Sequence, residues 1–280
     1  MNAPQMSDLP QDDCYLLDLR EGVLHLVFNR PRQGNSVPST AVPKLTALFR
    51  LAQARDDVRS MLISGRGRMF SAGGDVAGFA RSLAQAPAER QADFGRRLGN
   101  LQELVTAVAS FDRPMVASVR GAVAGAGLLY VLAADMVLGD STALFVFAHQ
   151  NVGLSPDGGV SALLPGIVGV REARRLLLTA AQVKAAEAHR LGLLTDIVEA
   201  EALDETSRAA AFRLAQAPQR AVRAAKRLIN QAATTTLAEQ LRAETAAVVA
   251  CVADADFDEG VMAFLEKRKP AFPSSGEPGP

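Results

Sequence analysis

Twice in the first half of the chain a short apolar run ends in a cluster of glycines, and this recurrence restricts the fold more than any other feature. Ser60–Ser64 leads through a short basic loop into Gly65, Gly67, Gly73 and Gly74, and Pro114–Val119 leads at once into GAVAGAG, Gly121–Gly127. Apolar runs of this length bounded by glycine read as strands buried on both faces, the kind that parallel sheets contain. Between them the periodicity changes. Ser39–Arg55 places Leu45, Leu48, Phe49 and Ala52 on one helical face, with Pro43 in an early turn. Gln91–Phe111 reads as a second helix. Tyr15–Leu19 and Val23–Phe28 form a strand pair around Glu21-Gly22, and Met136–Leu138 and Ala143–Phe147 add two more strands. From Arg171 onward the chain reads as almost wholly helical and Ala-rich. The expectation is an α/β core over 13–200 with a helical C-terminal region over 201–270. Segments 1–12 and 271–280 are polar and proline-containing and are expected to be disordered.

Composition narrows the function. The 280 residues carry 30 basic and 30 acidic side chains, with no net charge and no concentrated basic patch, so nucleic acid is not an expected partner. The uncharged stretch Gly121–Ala134 is too short and too glycine-rich for a membrane span. The first dozen residues lack the charge and apolar run of a leader, and two cysteines cannot build a disulfide framework. A soluble cytoplasmic protein is expected.

The three histidines, His25, His149 and His189, stand singly, so a metal site is not expected. Gly125-Ala-Gly127 is half of a dinucleotide fingerprint, but Tyr130 occupies the third glycine position. What remains is the pair of glycine-rich turns, FSAGGD (Phe70–Asp75) and GAVAGAG. Glycine lets backbone N–H groups approach a ligand, and two such turns facing one cleft could aim two donors at an oxygen that becomes negative. The alternative is that both are merely tight connections. Downstream, VGLSPDGG (Val152–Gly159) presents Asp157, which is either a turn former or a carboxylate available for chemistry.

FNRPRQGNS (Phe28–Ser36), FSAGGD, RPMVASVRGAVAGAG (Arg113–Gly127), AADMVLGDSTALF (Ala133–Phe145) and FLEKRKPAF (Phe264–Phe272) occur in that order. In this combination the chain resembles the enoyl-CoA hydratase/isomerase, or crotonase, superfamily from about Tyr15 to Phe272. The resemblance implies a crotonase-like ββα spiral with a helical C-terminal trimerisation region. It implies that the amides of Gly74 and Ala126 bind a thioester oxygen, and that Asp157 is a catalytic carboxylate, as in several isomerases of the superfamily. Arg30, Ala72, Gly73, Asp75, Gly125, Phe264 and Lys267 fall at its CoA- and substrate-binding positions, Asp75 also holding its own loop. The family's hydratases use two glutamates, whose positions here are Leu129 and His149. Leucine cannot move a proton, so an isomerase is expected over a hydratase, with His149 either packing beside the cleft or taking part as an accessory group. The alternatives are an Asp157-dependent dehalogenase or acyl-CoA hydrolase, and a non-catalytic CoA-binding scaffold. The resemblance further implies an acyl-CoA substrate, no cofactor beyond the CoA that the substrate carries, and a homotrimer or dimer of trimers.

Overall fold

A computed structural model describes residues 8–74 and 76–275. The elements are β1 (Tyr15–Arg20), β2 (Val23–Phe28), α1 (Val42–Ala54), β3 (Ser60–Gly65), α2 (Val76–Ser82), α3 (Pro87–Ala109) and β4 (Met115–Val119). There follow β5 (Ala122–Ala124), α4 (Gly127–Leu132), β6 (Met136–Gly139), β7 (Leu144–Val146), α5 (Val160–Val168) and α6 (Val170–Leu178). The chain continues with β8 (Gln182–Lys184), α7 (Ala185–Arg190), β9 (Asp196–Ile197), α8 (Leu203–Ala215), α9 (Gln219–Gln231), α10 (Leu237–Val252) and α11 (Ala255–Glu266).

Six strands form one sheet in the order β1-β2-β3-β4-β6-β9, with β1 antiparallel to β2 and the other neighbours parallel. Alternate side chains of β3 and β4 serve the two faces. Met61, Ile63, Met115 and Ala117 join the main core beneath α1 and α3, where Phe49 meets Phe111 edge to face at 5.5 Å. Leu62 and Val116 point the other way and are covered by Leu203, Ala210 and Ala211 of α8. Both faces are thus dry, which is why these strands read as unbroken apolar runs.

The second sheet, β5-β7-β8, turns off from the first after only Arg120 and Gly121. Gly121 sits at φ +61°, and a Cβ there would lie 2.0 Å from the Arg68 carbonyl oxygen, so only glycine permits this corner. The spiral is closed by two isolated parallel bridges, Val37 with Gly74 and Ser71 with Val123.

Three expectations need correction. The stretch after Arg171 also contains β8 and β9, which extend the two sheets with three and two residues. A boundary at 200 cuts through the core, because α8 covers the sheet and Ser60 Oγ donates to the Ala211 carbonyl at 2.8 Å. Lys226 of α9 is also buried, bonded to Asp135 at 2.7 Å and to the Arg113 carbonyl at 2.9 Å. The terminal segments are packed over 8–12 and 271–275, and the remainder of the segments expected to be disordered, 1–7 and 276–280, lies outside the described residues. Leu9 is buried, Tyr15 Oη donates to the Pro10 carbonyl, and Ser274 is bonded to Asp256 and to the Gln219 amide. Helix α10 buries none of its residues.

Candidate active site

The first glycine-rich turn is shaped by a neighbour from the FNRPRQGNS segment. Asn35 is buried in the left-handed region at φ 55°, and its amide Nδ2 donates to the carbonyls of Arg66 and Met69 at 2.9 and 2.7 Å. Ser71 Oγ donates to the Asn35 carbonyl and accepts from the Gly73 amide at 3.1 Å. These bonds consume the Gly73 N–H and leave that of Gly74. The second turn is sewn to the first by Ala124 N–H to the Ser71 carbonyl at 2.9 Å and Ser71 N–H to the Ala122 carbonyl at 3.2 Å. Approach is so close that a Cβ on Gly73 would stand 2.8 Å from Ala126 N and 2.5 Å from the Ala124 oxygen. Ala126 is the cap of α4, whose first amides precede the intrahelical ladder. Among the described residues, neither Gly74 N–H nor Ala126 N–H has an acceptor. Two unengaged donors therefore come from turns in van der Waals contact, an arrangement able to hold one anionic oxygen.

Both residues line a cleft of about 600 Å³. Its walls are mostly apolar, with Phe79, Phe94, Leu98 and Leu101 from the α2–α3 region and Val152 and Leu154 opposite. The buried Tyr130 and Val42 also line it. The Tyr130 phenol has no hydrogen-bond partner, and burial, followed by the nearby Cys14 and Tyr15, pushes its ionisation far up, so it stays neutral. The Cys14 thiol is pushed up to about 12, first by burial and then by Asp12, which leaves it unreactive. Arg97 reaches the cleft already paired to Asp93 at 2.6 Å.

Asp157 is the one carboxylate among the described residues that line this cleft. It ends a loop turned by Gly153 and precedes Gly158 and Gly159, all three glycines at positive φ. A Cβ on Gly158 would lie 3.6 Å from Ala126 Cα, so the Asp157 turn rests on the second glycine turn. His149, in a single 3-10 turn over His149–Val152, brings Nε2 to 3.4 Å from Asp157 Oδ1. Among the described residues no three of His, Cys, Asp and Glu come together as a metal ion would require.

The structure thus gathers Gly74, Ala126, Asp157, His149, Ala72 and Gly125 into one cleft, with Gly73 buried between the two turns. Leu129 is buried in the core and does not line the cleft. Asp75 lies outside the described residues. Three expected binding residues are not brought to it by their own chain. Arg30 folds back on its loop, donating from Nη1 to the Ser36 carbonyl at 3.1 Å. Phe264 is 82% exposed near the end of α11, and Lys267 caps that helix in the left-handed region. Two contributors escaped the sequence reading, Tyr130 and the 37–42 segment. Tyr130 had registered only as a missing glycine, and a loop just after a recognisable motif was the available signal for 37–42.

The profile of the family described as "Enoyl-CoA hydratase/isomerase" matches residues 18–275. The 1,2-epoxyphenylacetyl-CoA isomerase of Escherichia coli is 34% identical, over 92% of this chain and 97% of its own length. A "Probable enoyl-CoA hydratase" of Rhodobacter capsulatus is also 34% identical, over 91% and 96%. The crystal structure of an enoyl-CoA hydratase from Polaromonas sp. JS666 superposes with a TM-score of 0.83 at 30% identity, covering 91% of this chain and 98% of that one. No helix among the described residues is long and apolar enough to cross a membrane. With the two glycine turns and the Asp157 loop arranged around one cleft, and relatives aligned over nearly their whole length, the chain belongs to the enoyl-CoA hydratase/isomerase family.

Proposed function

We propose that this protein is an enoyl-CoA isomerase, moving a double bond of an acyl-CoA through a thioester enolate. The observation that carries the reading is that Asp157 is the one carboxylate among the described residues lining a cleft in which the Gly74 and Ala126 amides have no acceptor among those residues. The thioester oxygen accepts from Gly74 N–H and Ala126 N–H, which acidifies the α- or γ-proton by stabilising the enolate. Asp157 removes that proton and returns it at the other carbon. This chemistry needs nothing beyond the thioester itself, the CoA being part of the substrate.

Relatives are named for both isomerisation and hydration, so the choice rests on side chains. Hydration needs one group to activate water and another to protonate carbon. Leu129, where the family's hydratases carry a glutamate, is buried and has no proton to give. The test is solvent exchange: with a panel of enoyl-CoA thioesters in deuterium oxide, deuterium enters the α- or γ-carbon as the double bond moves. Formation of 3-hydroxyacyl-CoA without isomerisation, or no exchange with any thioester, would overturn the reading.

The same reading extends to assembly. Helices α10 and α11 leave Val248, Val249, Val252 and Phe264 exposed, a row that water solvates poorly. A homotrimer or dimer of trimers covers that row and lets Phe264 and Lys267 of one subunit approach the CoA of another.

A further inference from the structure

We infer that His149 is a positioning residue for Asp157, gripping one carboxylate oxygen so that the other carries the proton. The inference rests on Asp157 being the proton carrier and adds a partner to it. Each histidine has different company. His25 Nε2 meets Ser64 Oγ at 2.8 Å, and His189 Nδ1 meets the Leu194 carbonyl at 3.4 Å. Among the described residues both ring nitrogens of His149 are buried without a hydrogen-bond partner, and Asp157 Oδ1 stands 3.4 Å from Nε2. A buried imidazole left in this state costs free energy that a leucine or phenylalanine filling the same wall would not.

Burial also distinguishes the two groups. The His149 side chain is 9% exposed and that of Asp157 is 35% exposed; both line the cleft, and the carboxylate is the more open of the two. His149 acts through Asp157, the one charged group within 4 Å of its ring among the described residues. A separation of 3.4 Å is a few tenths of an ångström longer than a good N–H···O bond, and such contacts tighten when substrate closes the site. With Nε2–H donating to Oδ1, the carboxylate cannot rotate, and Oδ2 is left to work. The C–H bond at the α- or γ-carbon breaks, its electron pair moves into the enolate, and the proton goes to Oδ2. The proton on Oδ2, which exchanges with solvent while the enolate persists, is then delivered to the other carbon as the enolate collapses. The protonation state of His149 is the same at the start and the end.

The experiment compares His149→Leu, His149→Gln, His149→Asn, Asp157→Asn and the double variant Asp157→Asn/His149→Leu, by turnover and solvent exchange on one acyl-CoA. His149→Leu is expected to lower kcat about 10- to 100-fold, the range for a lost hydrogen bond to a charged group, with KM changed less than about twofold. His149→Gln, whose amide N–H sits where Nε2 does, is expected to recover most of that loss. His149→Asn is one bond too short and is not. Because His149 acts through Asp157, the double variant should be no slower than Asp157→Asn alone. Wild-type kcat in a folded His149→Leu protein would overturn the inference, as would equal losses in the Gln and Asn variants or losses that multiply in the double variant. The Gln and Asn pair decides by itself if His149→Leu does not fold. Full exchange by Asp157→Asn is a different failure: it removes Asp157 as proton carrier, and the inference falls with it.

Discussion

The cleft and the α10–α11 arm both leave apolar side chains open to water, and they differ in what accompanies those side chains. Phe94, Leu98 and Leu101 line a concavity that Gly74, Ala126 and Asp157 also line. Val248, Val249 and Phe264 lie exposed on helices that form no part of this cleft, and α10 has no buried residue. Concave apolar walls with a few convergent polar atoms suit a small molecule, whereas a bare helical face suits another chain. If this division is right, changes in the cleft should alter turnover while leaving assembly alone, and changes on the arm should do the reverse.

The largest effect is expected from Asp157→Asn. Turnover should fall by roughly 10²–10⁴-fold, the range for a general base, while acyl-CoA binding and the light-scattering mass stay as in the wild type. A change of mass with this variant would break the division.

Gly74→Pro comes next. It deletes the amide proton itself, and a loss of roughly 10²–10³-fold in turnover is expected from one missing donor. Gly74→Ala is the control, since a Cβ there meets only Phe79 Cζ at 3.7 Å and the N–H remains. Circular dichroism must show both proteins folded; equal turnover in the two would deny the amide its role.

On the arm, Val249→Asp should leave the stability of the subunit within about 0.5 kcal/mol, because the side chain is already exposed. Burying that charge between subunits should weaken association by about 100-fold or more, read as a dilution-dependent mass. A monomeric wild-type protein would end the proposed assembly without touching Asp157.

The smallest effect concerns the sheet face beneath α8. Desolvation and the nearby Arg208 lower the His25 pKa from 6.5 to about 4, Asp18 and Asp204 opposing. The folded protein thus takes up this proton less readily than the unfolded chain. Its contribution to stability is full above pH 6.5 and is lost as pH falls towards 4. Urea midpoints measured across that window should fall less steeply for His25→Gln, by up to one proton in the slope. Identical slopes would show that His25 is solvated and that α8 covers it poorly.

How far the sequence could be read depended on segment length. Ser60–Ser64 and Pro114–Val119 announced themselves because strands buried on both faces cannot hide their composition. Strands β5, β8 and β9 have two or three residues each, too few for any periodicity to stand out, and their pairing is decided by what lies beside them. Helices posed the opposite problem. Ala-rich α8 and α10 look alike on paper, but the small side chains of Ala210 and Ala211 let α8 approach Leu62 and Val116, whereas α10 meets α9 through Gln240 and the Leu228 carbonyl and has no buried residue. Asp157 and His149 were each visible as candidates, eight positions apart, with nothing to say that a 3-10 turn and Gly153 fold one back towards the other.

The sequence by itself determined the local requirements: glycines at Gly73, Gly121 and Gly125, apolar strands on either side of them, and a lone aspartate in a turn of prolines and glycines. These follow from backbone sterics and burial, which act over a few residues. Only the tertiary structure decided that Gly74 and Ala126, whose amides have no acceptor among the described residues, line one cleft and that Asp157 lies 3.4 Å from His149. It also decided that Arg30, Phe264 and Lys267 stay away from that cleft in their own chain. Those outcomes depend on contacts between segments tens to hundreds of residues apart, whose closure is a property of the whole packed molecule and is not written in any one stretch of it.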